Sequence, residues 1–211
     1  MVLVRTDYDS ITHYMFHWSA PVIETAEKKG FDVVSIDGRN AVKKGIISRM
    51  EKIRPDFTFL NGHGDARSFY GDDNKKAISM NEAHVFDGSV AFVRACNCLE
   101  ELGKKAVNKH ASKCFIGYKD KFWNVWRSEK LSNPLQDDVS RPIMEASNAV
   151  PLGLIKGADV EESINMSHDV SAREIEKAIF SPDPASSAVL RALVFNDTSL
   201  DYHGNEKARI A

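Results

Sequence analysis

Short apolar runs alternate with longer amphipathic stretches through residues 1–126, and this alternation restricts the fold more than any other feature of the chain. The runs predicted to be strands are 1–5, 32–36, 56–61, 89–95 and 114–118. The stretches with helical spacing between them are 11–30, 41–53 and 99–111. Apolar strands separated by helices are typical of parallel strands joined by right-handed crossovers. The pattern therefore predicts an α/β fold, an open sandwich with a mostly parallel central sheet and helices on both faces.

Residues 127–211 have a different character. Residues 128–141 are polar and rich in turn-forming residues, which predicts a surface loop. Helical spacing then returns, at 141–155, 159–180 and 186–194. We expect residues 1–126 to form the core and residues 127–211 to form a loop and a helical extension packed on the same domain. A separate helical domain is the less favoured alternative.

Composition excludes several classes of protein. The chain has 211 residues, of which 43% are hydrophobic and 27% charged, as in a soluble globular domain. Its 28 basic and 30 acidic side chains leave no positive excess for nucleic acid or an anionic membrane. The apolar runs are too short for a membrane helix, and the first residues lack the apolar segment of a signal peptide. Three cysteines argue against a disulfide framework and favour a cytoplasmic location.

Reactive side chains follow two of the predicted strands at the points where those strands end. The third strand runs into residues 61–65 (NGHGD), and the fourth runs into residues 94–98 (RACNC). Ligands and catalytic groups in open α/β sheets gather at the carboxyl ends of the strands. If the two strands are neighbours, His63 and Cys96 face one groove. A cysteine beside an imidazole is suited to nucleophilic catalysis, which needs no cofactor.

Two further features fit a cysteine nucleophile at position 96. Cys96 shortly precedes the helix predicted from Leu99, and the dipole of that helix would favour a thiolate. The glycines beside His63 allow the backbone to approach a substrate closely. We expect the N–H groups of Gly64 and Cys96 to form an oxyanion hole.

Three segments resemble one known group of enzymes. Phe59–Asp65 (FLNGHGD) and Val90–Val107 (VAFVRACNCLEELGKKAV) resemble the histidine and cysteine motifs of the caspase-like cysteine peptidases of clan CD. Cys114–Trp126 (CFIGYKDKFWNVW) resembles the strand and loop that line the substrate groove in that clan. The separation of 33 residues between His63 and Cys96 suits the gingipain and CHAT-protease branches better than the caspases. The chain departs from caspases and metacaspases at Asn97-Cys98, where those enzymes carry more small residues.

The resemblance implies a caspase-like open sandwich and a cysteine endopeptidase with a strict preference for the residue before the cleaved bond, P1. Cys96 would be the nucleophile and His63 the group that carries the proton. The residues expected to support the dyad or line the substrate pocket are Asp7, Asp9, Asp65, Tyr118, Asp120 and Trp123. Asp7 and Asp9 would form an acidic pocket floor that selects a basic P1 residue. A protein or peptide is the expected substrate, and the loop at 128–141 is the place for self-cleavage or for an activating or inhibitory protein partner.

The residues also leave alternatives open. Asp65 could position His63, line a pocket or cap the following turn. Cys98 could be the nucleophile, a resolving thiol or half of a metal site, although the place of Cys96 directly after the strand favours Cys96. Cys114 begins an apolar strand and is expected in the core. A non-catalytic binding module on the same fold and an unrelated thiol amidase are the competing functions.

Overall fold

A computed structural model describes residues 1–210 of the chain. The strands are β1 (Val2–Arg5), β2 (Val34–Asp37), β3 (Phe57–Asn61), β4 (Gly64–Asp65), β5 (Ser68–Tyr70), β6 (Lys76–Ser79), β7 (Val90–Arg94), β8 (Cys114–Tyr118) and β9 (Leu200–Gly204). The α-helices are α1 (Ser10–Trp18), α2 (Ala20–Lys28), α3 (Lys43–Ile53), α4 (Lys104–Asn108), α5 (Arg141–Ile155), α6 (Val160–Phe180) and α7 (Ser186–Ser199). A π-helical turn, Leu99–Gly103, leads directly into α4.

The central sheet has six strands in the order β2-β1-β3-β7-β8-β9. The first five are parallel, and only β9 runs antiparallel, against β8. The prediction of an α/β fold with a mostly parallel sheet is therefore confirmed. Strand β9 was not predicted from the sequence. It is a half-exposed edge strand with polar residues, and backbone hydrogen bonds to β8 hold it without an apolar pattern of its own.

Helices cover both faces of this sheet. Alternate side chains of each strand point to opposite faces of the sheet, so one strand contributes side chains to two apolar clusters. In β3, for example, Phe59 belongs to the cluster under α1, α2 and α5, whereas Leu60 belongs to the cluster under α3 and α4. The open sandwich expected from the alternation of strands and helices is confirmed.

Several helices differ from their predicted bounds. The stretch predicted as one helix at 11–30 is two helices, because the chain turns at Ser19 and α2 begins again with Pro21 in its first turn. The predicted helix at 99–111 opens with the π-helical turn and ends at Asn108. No helix within residues 1–210 is long and apolar enough to cross a lipid bilayer.

A second, three-stranded sheet follows His63 and was also not predicted. Strands β4, β5 and β6 are antiparallel and only two to four residues long. Phe69 and Ile78 pack into the apolar cluster under α3 and α4. The backbone N–H of Tyr70 donates to the carbonyl of His63 at 2.9 Å, so this sheet supports the backbone of the histidine.

The polar loop before α5 is tied to α1. Trp18 donates from Nε1 to the carbonyl of Pro134 at 3.1 Å, and the Tyr14 hydroxyl donates to Asp137 at 2.5 Å. His13 Nε2 lies 3.1 Å from the carbonyl of Leu131. The loop therefore runs along the helix that begins beside His63.

Candidate active site

His63 and Cys96 lie at the carboxyl ends of two adjacent parallel strands. In the register of β3 and β7, Asn61 is paired with Arg94. His63 and Cys96 therefore each lie two residues beyond this pair. Both side chains line one cavity of about 270 Å³. The structure thus brings together the two residues that the sequence placed at one sheet edge.

The glycines beside His63 hold the two strand ends together. Gly62 donates its N–H to the carbonyl of Arg94 at 3.3 Å. A Cβ atom on Gly64 would lie 2.4 Å from the Sγ atom of Cys98 and 2.9 Å from the Cβ atom of Ala95. Such distances leave no room for a side chain, so glycine at position 64 is what lets this backbone pack against the turn that carries Cys96.

Asp9 fixes the imidazole of His63. Its Oδ2 atom lies 2.6 Å from Nε2 of His63, while its Oδ1 atom accepts the N–H of Thr12 at 2.9 Å and thereby caps α1. Burial alone would raise the pKa of Asp9, but the hydrogen bonds from Thr12 and His63 outweigh it and hold that pKa below its usual value. An ionised carboxylate only accepts hydrogen bonds, so Nε2 of His63 is the donor in this contact.

The thiol of Cys96 is partly buried. Burial raises its pKa above the ordinary value, and the N–H of Phe122 and the charge of Lys121 offset only part of that rise. The helix after Leu99, which was expected to favour a thiolate, does not offset this rise in the pKa of Cys96. Two of its first N–H groups, those of Glu101 and Leu102, both donate to the carbonyl of Ala66 instead.

The turn after Cys96 has an unusual backbone. Asn97 has a φ of +58°, in the left-handed region that asparagine tolerates better than most residues. Its N–H donates to the carbonyl of Asp120 at 2.9 Å, and its Nδ2 donates to the carbonyl of Lys119 at 3.2 Å. The departure from the family pattern at position 97 is therefore compatible with a sharp turn, which is fixed to the loop after β8.

The far side of the cavity comes from α1 and from the loop after β8. The lining side chains there are Ile11, Met15, Phe122, Trp123, Asn124 and Trp126. The indole of Trp123 is 42% exposed and stacks on Phe195, with 4.8 Å between ring centroids. Asn196 holds the backbone of Trp123 by two hydrogen bonds, at 2.8 and 2.7 Å. Trp123 therefore lies at the cavity, and its role in a substrate-pocket wall stays a prediction.

Other expected pocket residues lie elsewhere. Tyr118 is fully buried, and its hydroxyl is 2.9 Å from that of Ser147, so it does not reach the cavity. Asp65 accepts from the N–H of Arg67 and the hydroxyl of Tyr70, both at 2.7 Å. It caps the turn rather than positioning His63. The aspartate that does contact His63 is Asp9, which the sequence placed in the pocket floor.

The remaining charged candidates do not line the cavity either. Asp7 pairs with Nδ1 of His13 at 2.8 Å. Asp120 is exposed, and its carboxylate accepts the N–H of Lys121 at 2.8 Å. Neither Asp7 nor Asp9 lines this cavity, and each carboxylate is held by a histidine, so the structure does not place them as the expected acidic pocket floor.

The three cysteines lie in different environments. Cys98 is fully buried, and its thiol donates to the carbonyl of Ser68 at 3.4 Å. Burial raises the pKa of Cys98 well above its ordinary value. Cys114 is in the core, as expected. Of the three thiols, only that of Cys96 lines the cavity.

The contribution of α1 to the cavity was not predicted from the sequence. Ile11 and Met15 are four residues apart and share one face of the helix. That spacing was visible in the sequence, but it is also the ordinary pattern of a helix face packed on a core. Only the packing of α1 beside the ends of β3 and β7 makes these residues part of a cavity.

The fold is similar to that of known cysteine proteinases. The chain superimposes on the complex of pro- and mature domains of Porphyromonas gingivalis RgpB with a TM-score of 0.62 and 8% identity. It superimposes on the Arg-specific cysteine proteinase gingipain R (RgpB) with a TM-score of 0.60 and 10% identity, and on a structure described as a protease with 0.56 and 10%. Each superposition covers 99% of this chain and 48%, 46% and 47%, respectively, of the other chain.

The chain therefore spans about half the length of these structural neighbours. No protein-family model and no curated protein sequence matches it. At this level of identity the likeness shows the fold alone. It does not by itself show which residues act or what they act on.

Proposed function

We propose that this protein is a cysteine endopeptidase in which Cys96 is the nucleophile and His63 accepts its proton. One observation carries the proposal: His63 and Cys96 line the same cavity at the ends of adjacent parallel strands, with the imidazole held by the ionised Asp9. The fold shared with cysteine proteinases supports it.

The chemistry follows from the protonation states. The thiol is neutral in the free protein because burial raises the pKa of Cys96. During attack the Sγ atom bonds to the scissile carbonyl carbon, the thiol proton passes to Nδ1 of His63, and the carbonyl oxygen becomes negative. His63 then protonates the leaving amine as the C–N bond breaks. Water hydrolyses the thioester that remains, with His63 again accepting a proton.

Asp9 acts through His63 and is a positioning residue. Its carboxylate keeps the proton on Nε2, so that Nδ1 can accept the thiol proton, and it stabilises the imidazolium that forms. The N–H groups of Gly64 and Cys96 are the proposed oxyanion donors. The close packing of Gly64 against the turn at 95–98 supports this assignment.

The remaining parts of the proposal concern substrate and setting. The substrate is a protein or peptide, no cofactor takes part, and three free cysteines fit a cytoplasmic location. One structural neighbour is described as Arg specific. In this chain, Asp7 and Asp9, on which a basic P1 preference would depend, bind His13 and His63 and do not line the cavity.

Activation is proposed to act through the loop at 128–141. Residues 131–133 of this loop are exposed, and the carbonyl of Leu131 contacts Nε2 of His13, which lies in α1. Cleavage there would release contacts with the helix that forms one cavity wall. Activity of the uncleaved chain equal to that of a chain cut in this loop would refute the idea.

A second candidate function is a non-catalytic binding module on the same fold. The raised pKa of Cys96 favours it, since a buried neutral thiol is typical of an unreactive cysteine. Within residues 1–210 the side chain of His63 bonds to Asp9 and not to Cys96. Hydrogen bonds of catalytic groups often tighten only when substrate binds, so the geometry of the free protein is also compatible with catalysis.

The deciding experiment compares matched cysteine variants. Wild type, Cys96→Ala and Cys98→Ala are incubated with an unfolded protein substrate, and new N-termini are identified by mass spectrometry. The endopeptidase proposal expects cleavage that disappears in Cys96→Ala and persists in Cys98→Ala. Cleavage that is equal in all three forms, or absent from all three, would favour the binding module.

A further inference from the structure

The cavity beside Cys96 is apolar on the side where a substrate residue would enter. Apart from Cys96, His63 and a glycine, its lining side chains are hydrophobic with one exception, Asn124. The Oδ1 atom of Asn124 accepts the hydroxyl of Ser140 at 3.0 Å, and its Nδ2 atom is shielded from solvent. The Nδ2 atom has no hydrogen-bond partner and can only donate, so Asn124 offers no unused side-chain acceptor to a cationic ligand.

The nearby carboxylates do not supply a partner for a cation. Within residues 1–210 no acidic side chain lines this cavity. Asp9 is bound to His63, and Asp7 is bound to His13. Near the thiol, the charge of Asp120 is opposed by that of Lys121. A guanidinium or ammonium group placed in the cavity would lose its hydration without gaining an ion pair, which is strongly unfavourable.

The size and rigidity of the cavity suit a large side chain. Its volume is about 270 Å³, whereas an apolar cavity of about 150 Å³ already binds benzene. Met15 and Phe122 are buried and form fixed parts of the wall. Trp123 is held at its backbone by Asn196 and at its ring by Phe195. The wall is thus formed in advance of substrate binding.

We infer that this cavity binds the P1 side chain and selects a large apolar residue, such as leucine, methionine or phenylalanine, over arginine or lysine. The inference rests on the proposed function, since it takes Cys96 as the atom that attacks the P1 carbonyl. It names the substrate class of that site.

The first test is a fluorogenic peptide panel in which only P1 varies among Leu, Met, Phe, Ala, Arg, Lys and Asp. We expect kcat/KM for the best large apolar residue to exceed that for alanine and for arginine by about 10-fold or more. The same panel on Cys96→Ala removes any contaminating activity. Cleavage that depends on Cys96 but is fastest after Arg, Lys or Asp would overturn the inference while leaving the endopeptidase proposal in place.

A second test changes the charge of the wall. Ile11 lines the cavity in the first turn of α1, where a carboxylate is compatible with the helix dipole. Ile11→Glu should raise the ratio of Arg to Leu cleavage by about 10-fold or more, because it supplies the missing partner. Ser10→Glu is the matched control, with the same charge on the same turn but outside the cavity lining. An equal change of the ratio in both variants would contradict the assigned position of the P1 side chain.

A binding measurement keeps the two proposals separable. The uncleaved Leu, Phe and Arg peptides are titrated into Cys96→Ala by calorimetry. Binding of the Leu or Phe peptide at least 10-fold tighter than the Arg peptide supports the apolar pocket, even if wild type cleaves nothing and the endopeptidase proposal fails. Equal binding, tighter binding of the Arg peptide, or no binding at all would overturn the pocket assignment.

Discussion

Replacing Asp9 by asparagine tests the link between α1 and the proposed dyad. Asparagine is isosteric and caps a helix about as well as aspartate, so the bond to the Thr12 N–H can persist. The carboxylate that faces Nε2 of His63 at 2.6 Å is lost. The change should therefore act on the imidazole and leave the fold intact.

The expected magnitude follows from the geometry of the Asp9–His63 pair. A hydrogen bond to a charged group contributes about 1.5–3 kcal/mol, and about 1.4 kcal/mol corresponds to a tenfold change in rate. The side chains of His63 and Asp9 are 34% and 39% exposed, so water screens part of this energy. We therefore expect kcat to fall about 10- to 50-fold, with KM nearly unchanged because Asp9 does not line the cavity.

The assay measures kcat and KM on the best peptide of the P1 panel, together with the melting temperature. The control is Asp159→Asn, which makes the same change in the capping box of α6, far along the chain from the dyad. Asp9→Asn should shift the melting temperature by no more than about 2 °C, since the cap is retained. A decrease in kcat below threefold, or an equal decrease in Asp159→Asn, would show that Asp9 does not position His63.

Two other predictions concern the thiol and the glycine beside it. Because burial raises the pKa of Cys96, the rate of its alkylation by iodoacetamide should increase about tenfold per pH unit between pH 7 and 8.5. Mass spectrometry measures the alkylation at that residue. An alkylation rate that is already constant below pH 7 would instead show a preformed thiolate. Gly64→Ala would place a Cβ atom 2.4 Å from the Cys98 Sγ atom, so we expect destabilisation by about 1–3 kcal/mol and a melting temperature lower by about 2–10 °C. Adding Cys98→Ala should restore part of that loss, and strictly additive effects would contradict the proposed contact.

The local pattern of the sequence was sufficient for the architecture of the core. Periodicity in the first 126 residues identified the five parallel strands, because each strand must be apolar to be buried on both faces. The bounds of β8 and α5 agree with the predicted 114–118 and 141–155. Strand β9 and the small sheet after His63 escaped prediction, since short strands with polar residues are stabilised by pairing with distant backbone and carry little local signal.

The placement of reactive residues at strand ends was also readable from the sequence. His63 and Cys96 were predicted to meet because parallel strands end at one edge, and the order of β3 beside β7 brings them there. The aspartate that bonds to the imidazole of His63 could not be predicted in this way. Asp9 and Asp65 are both near turns, and only the packing of α1 against the strand ends determines that Asp9 is the one in contact.

The choice between Cys96 and Cys98 as the nucleophile also depended partly on the sequence and partly on the tertiary structure. Residues two apart in an extended strand point to the same side, so the sequence alone leaves both thiols as candidates. The chain bends between them, with Asn97 in the left-handed region, and Cys96 lines the cavity whereas Cys98 enters the core. Sequence determined which strands end in reactive groups, because periodicity is local. Tertiary structure decided which of those groups meet and what surrounds them, because burial and pairing depend on residues far apart in the chain.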